Sequence, residues 1–472
     1  MADIKTPFLG GAYVARSTNL AANRLINLYP EMVDTREGKA IGGFYGVPGK
    51  TLWVTVGTGP IYGVYAFKTN LYVVSGGGLY QVNQAGGSTL LGSVSIPLNG
   101  AVSFCDNGTQ VMVVSEPNGY VYNTSTNVFS SIGSPFPGAS MVTYQDGRAI
   151  IDVPNTQQFW VSNLYDFTTF NALNFASAEG NPDNGIALIS DHEQLWLVQD
   201  QTTEVWQDTG NSDFPYTRIS SGFIEQGGAA TFSLAKGAES LFWLSKDKSG
   251  QGIVVQTGGY TPKRISTHAI EFAINSYTKI SDAIGYTYQE EGHWFYVLTF
   301  PTGNATWVYD IATGIWHQRA CFNAQGTFDR DRANCHAFFN NQHIVGDYQN
   351  GNLYTTSLDV STDNGGVKKW LRAWRALPES QVNLSMKKFK HLQVDAETGT
   401  AGAGKTMYAL LRFSDDGGHT WSTEIGASIG LQGNYQMQLR WQTLGASRDR
   451  IFEISGTDPG KIALIGAHMD AE

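Results

Sequence analysis

The chain alternates short apolar stretches with polar turns, most sharply in the segment from Tyr286 to Arg319, YTYQEEGHWFYVLTFPTGNATWVYDIATGIWHQR. GHWFYVLTF has the aromatic and β-branched content of a strand and PTGNA is a turn. TWVYDI is a second strand, and ATG turns the chain again before IWHQR. One such hairpin unit leaves both of its faces uncovered, so the pattern predicts a module that packs against copies of itself.

Weaker copies occupy the chain from about residue 60 to 357. IYGVYAFKTNLYVVSGGGLYQV is the first and HAFFNNQHIVGDYQNGNLYTTS the last. The first turns of the units fall near residues 69, 107, 146, 192, 238, 290 and 341. That spacing, roughly 38 to 52 residues, is the period of four-stranded propeller blades. The expectation is an all-β chain built on a β-propeller of six or seven blades. The last unit is short, which leaves room for a terminal strand to complete a blade. A closed ring leaves only short strand edges; the competing topology divides the same strands into two stacked sheets.

The flanks break the repeat and set the expected domains: 1–58, 59–357, 358–380 and 381–472. In residues 1–58, ARSTNLAANRLINLYPEMVD holds a short candidate helix, and Pro30 disfavours helical backbone at Tyr29. The segment reads as an N-terminal arm that clasps other surfaces or a neighbouring subunit, or as a closing strand plus loop. Leu25, Ile26, Leu28 and Tyr29 are the expected apolar anchors of the arm. Residues 358–380 form a junction in which Lys368, Lys369, Arg372 and Arg375 surround Trp370 and Trp374. That combination offers charge and stacking to DNA or another partner, or else a solvated basic edge. From 381 the strands return in a C-terminal β-sandwich-like domain.

Composition narrows the function classes. The chain has 54 Gly and is 12% aromatic and only 15% charged, as many short strands joined by tight turns require. The formal charge of -10 disfavours a general nucleic-acid binder, although a duplex slides past an acidic wall without sticking. Three cysteines, Cys105, Cys321 and Cys335, make no disulfide framework and are expected as thiols. MADIKTPFLGGAYVARS lacks the apolar centre of a signal peptide, and no run approaches the length of a membrane span.

Several motifs resemble chemistry and resolve into turns. GTAGAGKT, with Gly399, Gly404, Lys405 and Thr406, spells a phosphate-binding loop. The following MYALLRFS reads as a strand, whereas a working loop feeds a helix. SDDGGHTW matches the Asp-box, S-x-D-x-G-x-T-W, through Ser414, Asp416, Gly418, Thr420 and Trp421, and predicts a structural hairpin turn. The acidic pairs Glu290–Glu291 and Asp415–Asp416 are expected on turns rather than as a glycosidase pair. His336, His343 and Asp347 lack zinc spacing, and Asp329 and Asp331 sit among Arg330 and Arg332. The expected catalytic, cofactor and metal residues are therefore none.

RLINLYPE followed by GFYGVPGKTL is similar to the opening of phage stabilisation proteins, the packaged-DNA stabilisation, tail hub or nozzle proteins of short-tailed phages. The Tyr286 unit, FFNNQHIVGDYQNGNLY, and the succession FKHLQVDAETG, LRFSDDGGHTWS and RDRIFEISGTDP look like that family as well. The resemblance implies a structural virion protein without enzyme activity, made in the host cytoplasm and placed at the phage tail. It implies a homo-oligomeric ring of six copies below the portal, between portal or adaptor and distal tail proteins. DNA would pass through that ring without sequence-specific binding, and without a membrane anchor on the protein. The alternative is a glycan-binding or glycan-cleaving propeller of the tail-fibre or sialidase kind, marked by clustered arginines and carboxylates on one propeller face.

Overall fold

A computed structural model describes residues 4–33, 40–211, 214–402 and 404–472. Six four-stranded antiparallel sheets each run from an inner strand to an outer one. Blade 1 spans Ile61–Phe67 to Ser88–Ser93, blade 2 Ser103–Asp106 to Val128–Ser131, and blade 3 Val142–Gln145 to Asp166–Ser177. Blade 4 spans Gly185–Asp191 to Tyr216–Ile224 and blade 5 Ala235–Gly237 to Thr261–Arg264. Blade 7 begins at Ala333–Phe339 and borrows its outermost strand, Gly49–Thr55, from near the N-terminus, with Leu353 opposite Val54. Between blades 5 and 7, Ile284–Glu290 to Ile315–Phe322 forms the same meander, blade 6. Six blades are thus free-standing sheets, and the remaining wedge continues into a larger one.

The second strand of each blade is covered on both faces by neighbouring blades, so it reads as an unbroken apolar run. LYVVS, VMVVS, LWLVQ and LFWLS are buried almost throughout. Each run ends on a buried polar residue that fastens an adjoining loop. Ser115 donates to the Ser95 carbonyl at 2.6 Å. Asp152 accepts from Met141 N at 2.6 Å, and Gln199 donates to the Asp183 carbonyl at 2.9 Å. Ser75, Ser245 and Asp347 occupy the same place in their blades. Burial raises the Asp152 carboxyl to about 6.

Beyond blade 6 the sheet runs on through Ala22–Ile26, Trp370–Arg375, Ile451–Gly456, Thr406–Ser414 and Ile425–Leu431, eleven strands in all with two side members. A second sheet faces it: Leu439–Gln442, Lys387–Ala396, Ala463–Ala471, Gly42–Gly46 and Leu28–Met32, with Ile4–Lys5 beside Ala463–Ala471. Phe8, Leu25, Phe44, Trp374, Phe389 and Phe452 fill the space between them.

The expected boundaries are corrected here. Residues 4–46 contribute strands to the sandwich instead of forming a separate arm, and residues 49–55 close the ring. The expected junction contains the sandwich strand Trp370–Arg375. The candidate helix is two strands: Ala22–Ile26 pairs with Trp370–Arg375, distant in the chain, and Leu28–Met32 pairs with the nearby Gly42–Gly46. Pro30 fits because its strand ends the sheet, where a missing N–H costs little. A helix not foreseen, His268–Asn275, links blades 5 and 6 and buries Ile270 and Ile274. Among the described residues no helix is long and apolar enough to cross a membrane.

Candidate functional site

The seam between ring and sandwich gathers most of the residues singled out from the sequence. Leu25, Ile26, Leu28 and Tyr29 are buried, all within their own chain. Leu25 and Leu28 belong to the sandwich core, and Ile26 packs with Ala320 and Leu371. Tyr29 stands edge-on to Phe295, with ring centres 5.7 Å apart. Their apolar surface is already covered, so the described fold does not offer these four as anchors to a neighbour. Asn27, in left-handed backbone, pins the seam. Its amide donates to the carbonyls of Ala320 at 2.8 Å and Lys369 at 2.7 Å, and its side-chain oxygen accepts from Ala320 N at 3.0 Å.

The basic quartet likewise does not form an exposed patch, which corrects the expected DNA or partner edge. Arg372 is fully buried and donates to the Phe8 carbonyl through Nε at 2.9 Å and Nη2 at 2.5 Å, with Nη1 3.3 Å from the Arg24 carbonyl. Burial pushes its guanidinium down to about 9. Lys368 donates to the Val47 carbonyl; burial, with Lys50 and Arg319 nearby, pushes it down to about 7. Lys369 lies 3.9 Å from Glu424 and over the Phe322 ring, and Arg375 pairs with Asp449 at 2.6 Å. The quartet staples the N-terminal strands to the sandwich and its surroundings.

His293 clasps ring to sandwich. Nδ1 lies 2.9 Å from Asp310 and Nε2 2.9 Å from Glu31, with Tyr29 across its face. The hydrogen bond to Asp310, reinforced by Glu31, raises the imidazole to about 9 against the effect of burial. His317, nearby, is held neutral by burial. Because the folded value of His293 lies above its ordinary one, its stabilisation is complete below pH 6.5 and lost as pH rises through 9. Urea titrations at pH 7 and pH 10 should show a His293-dependent loss of about 2 kcal/mol that is absent in His293→Gln. Equal pH slopes in the two proteins would refute the clasp.

Where blades 6 and 7 meet, charged groups are buried together. Lys50 Nζ is 2.7 Å from Asp331 and 3.7 Å from Asp363. Arg332 reaches Asp347 at 3.5 Å and Asp363 at 3.9 Å. Asp331 therefore pairs with a lysine from the closing strand, while Asp329 accepts from Asn304 and Asn323, both at 2.9 Å. His336 and His343 bond to each other at 2.9 Å; burial, then His343 and Arg319, push His336 down to about 3. Among the described residues, no group of three or more His, Cys, Asp or Glu side chains is placed to hold a metal.

The remaining motifs occupy turns. Asp416 accepts from Ser414 at 2.7 Å and from the Thr420 amide at 2.9 Å and hydroxyl at 2.6 Å; these bonds, chiefly those from Thr420, hold its carboxyl below the usual range. Gly418 donates to Ser414 at 2.8 Å from left-handed backbone, and Arg412 lies over the Trp421 ring. Asp415 grips Arg450 at 2.6 and 2.7 Å. Gly399 and Gly404 turn the chain into the strand Thr406–Ser414, so no helix N-terminus faces the loop; Ala403 lies outside the described residues. Glu290 is half-buried at a strand end, and Glu291 is exposed on the adjoining turn.

Sequence reasoning missed the channel along the ring axis. It holds a cavity of about 220 Å³ walled by inner-strand residues of several blades, among them Tyr62, Tyr65, Phe104, Tyr286 and His336. Tyr65 and Phe104 stack nearly parallel, 7° apart, and Tyr286 stacks on His336 at 14°. The Tyr65 hydroxyl donates to Asp106 at 2.6 Å. Because every blade enters at its inner strand and runs outward, the first turns all lie on one face. That face carries Asp106, Asp146, Asp191, Glu239 and Glu291, with Lys68, Arg148 and Lys236 among its cations and His192 bridging Asp191 and Glu239. The alternating apolar and aromatic residues of the inner strands were the available signal, but alternation does not say which face meets an axis.

Known proteins carry the same two folds, with a boundary between residues 361 and 369. Residues 4–361 match the profile described as bacteriophage P22 Gp10, beta-propeller, and residues 369–472 match bacteriophage P22 Gp10, beta-sandwich. No curated protein matches. Among solved structures, the extracellular domain of a putative hybrid two-component system of B. thetaiotaomicron is 12% identical with TM-score 0.45, over 79% of this chain and 47% of that one. The chain thus spans about half the length of that protein. The Neurospora crassa Pan2 WD40 domain is 8% identical with TM-score 0.44, over 69% of this chain and 97% of that one. The N-terminal domain of Nup159 is 10% identical with TM-score 0.41, over 76% and 96%. These structural likenesses are too low to carry a functional argument, whereas the two profiles together cover nearly the whole chain with the observed architecture. The chain belongs to the phage stabilisation protein family, the family of bacteriophage P22 Gp10.

Proposed function

We propose that this protein forms a homo-oligomeric ring at the phage tail, a hub or nozzle below the portal that lines or closes the DNA exit channel and retains packaged DNA. Family membership supports a structural role in the virion. Within the fold, the observation that carries the reading is the seam where blade 6 meets the sandwich strand Ala22–Ile26, through the parallel pairing of Ile26 with Gln318 and the Asn27 bonds to Ala320 and Lys369. A propeller and a sandwich fastened at such a seam act as one stiff body, as a collar under internal pressure requires. The net charge of -10 suits a wall past which a duplex slides. Six copies, with portal or adaptor on one side and distal tail proteins on the other, complete the proposal. Copies in such a ring meet through unlike surfaces, with a rotation that closes.

Electron microscopy of particles assembled with and without the protein tests this. A ring density at the tail that disappears in its absence, together with leakage of packaged DNA, is the expected outcome. Protein on the capsid shell, or particles that retain DNA equally well without it, would overturn the proposal.

A further inference from the structure

We infer that the small cavity enclosed between blades 6 and 7 is a binding site for one monovalent anion, of the size and charge of chloride, that completes the closure of the ring. The inference does not rest on the hub reading. Three observations converge on it.

The first is a buried charge without a close partner. Arg319 is only 8% exposed, and among the described residues no carboxylate lies within ion-pair distance of its guanidinium. Its hydrogen bond, from Nη2, goes to the neutral Tyr288 hydroxyl, and Nε has no partner. The rings of Tyr288 and Phe295 flank it. Asp331 and Glu290 act on it from farther away, and burial biases Glu290 toward its neutral form. A cation taken out of water in this way is costly until an anion meets it.

The second is the cavity itself. Lys50 and Thr356 from the end of blade 7, Tyr286 and Arg319 from blade 6, and Asp331 and His336 line a space of about 20 Å³. That is room for about one water-sized centre, so sulfate, phosphate and nucleotides are excluded on volume alone. The Tyr286 hydroxyl has no hydrogen-bond partner among the described residues, and burial keeps its phenol protonated. Arg319 and Tyr286 therefore bring unused donors to one small space.

The third is the balance of fixed charge. Asp331 is the one carboxylate among the lining residues, and it is already engaged, accepting from Lys50 Nζ at 2.7 Å and from Ala333 N at 2.8 Å. Asp363, 3.7 Å from Lys50, is shared with Arg332, which also reaches Asp347. Burial, then His343 and Arg319, hold His336 neutral. The wall thus carries two cations against one carboxylate. A water fills the space without supplying the missing charge, whereas a single halide supplies it. Because Lys50 stands on the strand that closes blade 7, the ion ties that strand to blade 6.

The test uses the full chain. Crystals grown in sodium bromide are expected to show an anomalous peak between Arg319 and Tyr286. At constant ionic strength, exchange of gluconate, too large to enter, for chloride should raise the unfolding midpoint saturably, by about 2 °C at about ten times the dissociation constant. Arg319→Gln should abolish the rise. Tyr286→Phe keeps the ring and should weaken chloride binding roughly three- to tenfold through the lost hydroxyl. If Arg319→Gln fails to fold, Tyr286→Phe and the anomalous peak still decide the matter. A water at the site with no anomalous signal would overturn the inference. So would equal midpoints in chloride and gluconate, or a chloride response unchanged in the folded variants.

Discussion

Removal of residues 1–46 is expected to unfold the sandwich while leaving a ring still closed by Gly49–Thr55. The deletion removes an internal strand of the long sheet, two strands of the facing sheet and the short strand beside Ala463–Ala471. It also strips Phe8, Leu25, Leu28 and Phe44 from the core. At about 1.5–3 kcal/mol for each buried side chain, the loss rivals the whole stability of an ordinary domain, about 5–15 kcal/mol. Arg372 would be left with its charge buried and without the carbonyls of Phe8 and Arg24. Residues 369–472 alone should therefore lack the near-ultraviolet circular dichroism of packed tryptophans, and a peptide of residues 4–46 added in trans should restore it. A cooperative unfolding transition for 369–472 alone would show that the N-terminal strands are dispensable.

Lys50→Ala is expected to destabilise the protein by about 3–5 kcal/mol, because it leaves the buried Asp331 and Asp363 without their shared cation. Lys50 sits on the strand that closes blade 7, so the damage should localise there: faster amide exchange at Asn352–Ser357, with blades 2 to 4 unaffected. A double-mutant cycle with Asp331→Asn should give a coupling above about 1 kcal/mol, exceeding that with Asp363→Asn, whose carboxylate lies 3.7 Å away instead of 2.7 Å. A loss below about 1 kcal/mol for Lys50→Ala would mean that the cluster relaxes to solvent.

The ring was legible because its signal is local. Hairpin turns recur at short intervals, and those predicted from Gly, Asn and Asp fall where the first two strands of a blade meet. The chain's seventh unit looked short because its fourth strand lies nearly three hundred residues earlier, where no local pattern announces the pairing. WLRAWR illustrates the opposite failure. Its arginines among tryptophans read as a surface edge, yet Arg372 and Trp374 lie inside because the N-terminal segment supplies the Phe8 carbonyl and ring and the Thr6 hydroxyl. Long-range pairing decides such cases, and a single sequence does not display it. The stacked pair in the channel escaped for a related reason: Tyr65 and Phe104 belong to different blades and meet only once the ring has formed.

The pairing of Ile4 with Met469, with Thr6 bonded to Ala467 461 positions away, fixes an order of events during synthesis. Residues 4–6 leave the ribosome well before residues 467–469, their partners, and find their places only after those are made. Blades 1 to 6 can form as they emerge, but the strands of residues 4–46 that join the sandwich must wait, exposed, until residues 369–472 follow. A message truncated anywhere before the sandwich codons should yield a nascent protein with loose, adhesive leading strands. Quality control would see the same surface whether the ribosome had stalled early or late, so synthesis of residues 369–472 is what converts the product from a chaperone client into a virion part.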